Sequence, residues 1–128
     1  MTAAAAHFHF KCVSDCLKIR ALSRFILTNM EEAFQAMAEA IQSHPCKAAL
    51  VDVRTVPGPY SFMDYFQMGE LAGKYLRMVP IAVLAGPEQV DPDRIGKIVA
   101  QNRGANVEIF TNPADAQAWL QKYLTPSG

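Results

Sequence analysis

The chain has 128 residues, 51% of them hydrophobic, and its 12 basic and 12 acidic side chains cancel to a formal net charge of +0. That length suits one domain with a real core, and the apolar share excludes a disordered chain. Balanced charge announces no basic face, so neither nucleic acid nor anionic membrane is an expected partner, and it leaves little electrostatic resistance to a homodimer.

No apolar stretch approaches the ~18 residues of a membrane span. The opening MTAAAAHFHF has no basic n-region, so a signal peptide is not expected. Cys12, Cys16 and Cys46 are odd in number and read as free thiols of a cytoplasmic protein.

The elements begin with a strand. From His7 to Cys12 the chain alternates, with Phe8, Phe10 and Cys12 on one face and His7, His9 and Lys11 on the other. Leu17 to Ala21 repeats the alternation after a Ser14-Asp15 turn, which predicts a hairpin. Phe25-Ile26-Leu27 either extends that second strand or forms a short third one.

Thr28 with Glu31 three residues on predicts a capping box for a first helix, which stops by His44-Pro45. Ala48–Val53 is apolar on both faces apart from Asp52, as a central strand should be. A second helix opens near Ser61 and runs to about Met78. Pro80 to Ala85 is another buried strand, and Asp91-Pro92 caps a third helix that Gly104 ends as a C′ residue. Val107–Phe110 is the last strand, and Asn112-Pro113 caps a final helix that buries Ala116, Trp119, Leu120 and Tyr123.

This order predicts one α/β domain with a mixed sheet of about five strands and four helices: an antiparallel N-terminal hairpin, then parallel strands joined by crossover helices.

Three stretches resemble the SpoIIAA-like group of the STAS superfamily, whose founding members are bacterial anti-sigma factor antagonists. They are the buried strand Leu50-Val51-Asp52-Val53 with its loop, the strand Ile81-Ala82-Val83-Leu84 followed by a loop and helix, and the ending Asn106–Phe110 followed by Ala114-Asp115-Ala116-Gln117-Ala118-Trp119-Leu120. The resemblance implies the fold, and with it a regulatory or protein-interaction role rather than catalysis. In that family a switch serine opens the helix after the central strand, and its phosphorylation places a dianion at a partner-facing helix end. Here Ser61-Phe62-Met63-Asp64 resembles the lead-in, but Tyr65 and Phe66 stand where the serines would be. The fold is expected to carry over and the serine switch is not.

The candidate sites gather around residues 52–75. Ser61-x-x-Asp64 reads as a capping pair, with Ser61 as a phosphoacceptor the sharper alternative. Asp52 and Arg54 share a face at the strand end, as a polar anchor for a ligand or simply as an ion pair. In the second helix Phe62, Phe66, Gly69, Gly73 and Leu76 make an inner face, the glycines allowing close approach to the sheet. Tyr65, Met68 and Tyr75 are left as apolar anchors on its outer side, beside the loop Pro57–Tyr60. Tyr60, Ser61, Asp64, Tyr65, Met68 and Tyr75 are therefore the partner- or ligand-binding candidates.

No cofactor is expected. Gly86-Pro87-Glu88-Gln89 is no phosphate-binding loop, and His7 with His9 lacks the third ligand that zinc requires. Two functions fit: a non-enzymatic interaction module acting on a protein partner or on itself, or a carrier for a small apolar, lipid-like ligand.

Overall fold

The computed structural model describes residues 7–24, 29–56, 58 and 60–124, and its five strands form one sheet in the order β1-β2-β3-β4-β5. β1 (Phe8–Val13) and β2 (Cys16–Ala21) pair antiparallel across a two-residue turn in which Ser14 takes a left-handed φ of 55°. β3 (Ala48–Asp52), β4 (Ile81–Leu84) and β5 (Val107–Phe110) then add in parallel, each beside the strand before it. This is the predicted α/β architecture.

The topology decides which face each helix covers. All three crossovers step the same way along the sheet, and such crossovers are right-handed in ~98% of cases. α1 (Met30–Ser43), α2 (Phe62–Tyr75) and α3 (Ile95–Asn102) must therefore lie on one face. There Met30, Phe34, Met37, Leu71 and Ala100 pack with Leu17, Ile19, Ala49, Val51, Ile81 and Val107 from the strands. α4 (Pro113–Leu124) follows the last strand, closes no crossover, and packs on the opposite face, where Ala116 and Leu120 meet Cys16, Ala48 and Ala82. Trp119 bridges Phe110 and Tyr123, with ring centroids 5.9 and 5.1 Å away.

Several local expectations need correction. α1 begins at Met30 with Asn29 at its cap and no side-chain cap bond; Thr28, like the stretch Phe25–Leu27, lies outside the described residues. The capping box expected of Glu31 needs Thr28 and so lies outside the described residues. The Glu31 carboxylate turns to α2, where Lys74 Nζ and the Tyr75 hydroxyl donate to it at 3.0 and 2.7 Å. α3 opens later than expected, at Ile95, because Arg94 takes a left-handed φ of 50°; Asp91 still caps it by accepting the Ile95 amide at 2.8 Å.

The glycines of α2 also face elsewhere than expected. A Cβ on Gly69 would lie 2.5 Å from the Gly96 carbonyl oxygen, and one on Gly73 would lie 2.5 Å from Arg103 Cβ. They admit α3, not the sheet.

Candidate functional site

At the carboxyl ends of β3 and β4, the covered face of the sheet and the α2–α3 pair line a partly open apolar cavity of about 140 Å³. Val51, Val83 and Ile109 form its floor, and Met68, Ala72 and Ala100 form its roof. The space follows from the close α2–α3 crossing. Gly69 meeting Gly96 pulls the helices together and brings small residues, not large ones, over the strands.

One end of the cavity is held by a polar clasp. Gln89, the one buried polar side chain in the described core, ends a 3-10 turn at Pro87–Gln89 that follows β4. Its amide nitrogen donates to the carbonyls of Val53 (2.7 Å) and Val56, and its Oε1 accepts the Gly86 amide at 2.7 Å. The Tyr65 hydroxyl donates to the Gln89 carbonyl at 2.5 Å and accepts the Tyr60 amide at 3.4 Å. The two tyrosine rings meet edge to face, 5.8 Å apart, and the Arg24 guanidinium sits 4.3 Å from the centre of the Tyr60 ring. Burial raises the Tyr65 hydroxyl above the ordinary phenol range, and the Asp91 and Asp64 carboxylates push the same way. It therefore stays protonated as a donor at neutral pH.

The clasp leaves nothing polar to offer. No buried side-chain nitrogen or oxygen among the described residues lacks a hydrogen-bond partner. Lys97 lines the cavity with its stem while its ammonium pairs with Glu108 at 2.6 Å. A guest in this space would be recognised by shape and apolar contact alone.

The predicted site residues divide into three groups. Tyr60, Tyr65 and Met68 line the cavity, so Tyr65 and Met68 point toward the sheet and are not the outer anchors expected. Tyr75 faces α1, giving its proton to Glu31 and accepting from Gln35 Nε2 at 3.0 Å. That contact and the Lys74 ammonium hold the Glu31 carboxyl below its usual range. Ser61 and Asp64 form the predicted capping box, the Ser61 hydroxyl accepting the Asp64 amide and the Asp64 carboxylate accepting the Ser61 amide, both at 3.1 Å. The side chains exposed at the start of α2 are Phe62 (58%) and Met63 (63%), although Phe62 was expected to face inward. Pro57 and Pro59 of the loop lie outside the described residues.

Asp52 and Arg54 sit on the other face and satisfy each other. Arg54 donates from Nε to Oδ1 at 3.0 Å and from Nη2 to Oδ2 at 2.9 Å, and its backbone amide adds a third bond. Burial works to raise the Asp52 carboxyl, but these bonds and the nearby Arg20 outweigh it and hold the group below its ordinary range.

Gln89, Gly96 and Ala100 were missed in the sequence. The loop holding Gln89 is legible in the sequence only as a strand-end loop without a phosphate-binding pattern.

Cys12, Cys16 and Cys46 are free thiols, and burial raises those of Cys16 and Cys46. Among the described residues no three His, Cys, Asp or Glu side chains are grouped to hold a metal, and no helix is long and apolar enough to cross a membrane. No protein-family model and no curated protein matches the chain.

Proposed function

We propose that this protein binds a small apolar ligand in the cavity between the sheet and the α2–α3 pair, and acts by binding without catalysis. The observation that carries this reading is the cavity itself: about 140 Å³, with an apolar lining and no unpaired buried side-chain donor or acceptor nearby. An apolar cavity of roughly 150 Å³ stays dry and takes up benzene-sized guests. The fitting ligand class is a single aromatic ring or a short branched or linear hydrocarbon end, such as the tip of a lipid chain. Met37 and Met68 give the lining freedom to adapt to it. The test is native mass spectrometry of freshly purified protein, paired with organic extraction. An apolar molecule released on denaturation supports the reading; a bare chain that also fails to bind toluene contradicts it.

A second reading rests on a different observation. Phe62 and Met63 stand exposed at the first turn of α2, and Ile98 on α3 is 45% exposed. These apolar groups favour a protein-interaction module, as the STAS-like resemblance implies, with a second copy of the chain as the partner. Sedimentation of wild type and of a Phe62→Ser/Met63→Ser variant tests it. A wild-type dimer that the variant dissociates supports it, and a monomer in both opposes it.

A further inference from the structure

The half of the opposite sheet face that α4 does not cover carries a second feature, one that zero net charge conceals. Side chains alternate along β1 and β2, so His9 and Lys11 share this face with Lys18 and Arg20. The register sets His9 opposite Arg20 and Lys11 opposite Lys18. Opposed side chains on neighbouring strands lie about 5 Å apart and diagonal ones about 7 to 8 Å, and like charges placed directly opposite destabilise a sheet. Lys11, Lys18 and Arg20 thus form a compact cationic triangle, and none of the three is in an ion pair among the described residues. Asp52, beside Arg20 in the register and also lining the groove with Arg54, attracts Arg20 through space, but its oxygens are held by Arg54. An anion bound between them would offset the repulsion of Lys11 and Lys18, which stand directly opposite.

The triangle borders a concave groove of about 440 Å³. Leu50 and Leu84 lie in its floor, and Pro113 and Gln117 of α4 wall its far side. That volume falls in the range of small-molecule sites. A wall formed by α4 favours a compact ligand over an extended acidic segment lying across the strands, and among the described residues no Phe, Tyr or Trp lines the groove to stack a nucleic-acid base. A guanidinium fork flanked by two ammonium groups matches the several oxygens of one phosphate.

We infer that this groove binds a small organic phosphate monoester. Lys11, Lys18 and Arg20 hold the phosphate, and Leu50 and Leu84 contact the ligand's carbon body. The same chemistry is offered by a soluble phosphorylated metabolite and by a lipid headgroup. The site lies on the sheet face away from the apolar cavity and stands or falls independently of it.

The test is an amide-resolved NMR titration of the full chain with glycerol 3-phosphate, run beside co-sedimentation with phosphatidylcholine vesicles carrying phosphatidic acid. The expected result is saturable shifts at Lys11, Lys18, Arg20 and Leu50, weakened at least about tenfold in Lys18→Gln/Arg20→Gln. Both substitutions lie at exposed positions and relieve like-charge repulsion, so the variant should melt no lower than wild type. Lys11→Gln provides a second, milder variant with the same direction of effect. Saturable vesicle binding lost in the variants also supports the phosphate site and assigns its source to a headgroup. Absence of both kinds of binding, equal binding by the variants, or tighter binding of a poly-glutamate peptide than of glycerol 3-phosphate would overturn it.

Discussion

The two faces of this sheet are built from the same strands and end with opposite characters. Three crossover helices cover one face, and because they cross in one sense they crowd together, α2 against α3 through Gly69 and Gly96. Among the described residues the other face receives α4, which covers β3, β4 and β5 with Ala116, Trp119 and Leu120 and does not extend over the β1–β2 half. The crowded face holds an apolar cavity with its buried side-chain polar groups satisfied, and the other holds cations that form no ion pair among the described residues. The difference comes from chain topology more than from composition: alternate residues of one strand, such as Leu17 and Lys18, meet helix on one side and solvent on the other.

The largest expected effect that tests this contrast is at the helix crossing. Gly69→Ala places a methyl 2.5 Å from the Gly96 carbonyl and 2.8 Å from Val99 Cβ, so α3 must move off α2. We expect a loss of about 3 kcal/mol in chemical denaturation. A near-neutral result would mean the crossing is loose and the cavity poorly defined. Next comes Gln89→Ala, which leaves the Val53 and Val56 carbonyls and the Gly86 amide without their partner and should cost about 2 kcal/mol. Proteolysis near residues 53–60 should become faster in that variant, because the clasp joins the two strand-end loops.

Ser61→Ala should cost only about 1 kcal/mol, the usual worth of an N-cap. Its affinity for any apolar ligand should not change, and a large loss of ligand binding would reassign Ser61 to the site. The smallest effect belongs to the α4 face and depends on pH. The Asp52 carboxyl holds its proton less tightly in the folded chain than in the unfolded one. Its stabilisation is therefore fully present above the unfolded value of about 3.9 and is lost as pH falls below it. Denaturation midpoints of Asp52→Asn should fall less steeply than those of wild type between about pH 4 and pH 2, and parallel curves would remove Asp52 from the account.

Local chemistry was the most legible part of the sequence. The Ser14-Asp15 hairpin, the strand Val107–Phe110, the Ser61–Asp64 capping box and the C′ position of Gly104, with φ of 93°, each depend on residues within a few positions of one another. The orientation of α2 was not legible, because its apolar residues surround most of the helix and only the position of α3 decides which side is inner. Tyr65 and Met68 therefore turned inward and Phe62 outward against expectation. Gln89 was hidden because its partners, Val53 and Val56, lie more than 30 residues earlier in the chain. The cationic triangle was half visible. Strand alternation gives the parity of Lys11 and of Lys18 separately, but only the hairpin register and the reach of α4 make them neighbours at a groove.

The central claim is that the cavity is a binding site, and methyl NMR of Met37 and Met68 during a toluene titration tests it most directly. Wild type should show saturable shifts of both methyl groups and a raised melting temperature. Ala100→Leu, which fills the space from the α3 side, should abolish both responses without losing stability. Unshifted methionine methyls in wild type, or an Ala100→Leu variant destabilised by the 1 to 3 kcal/mol typical of overpacking, would show that the space is closed and contradict the account.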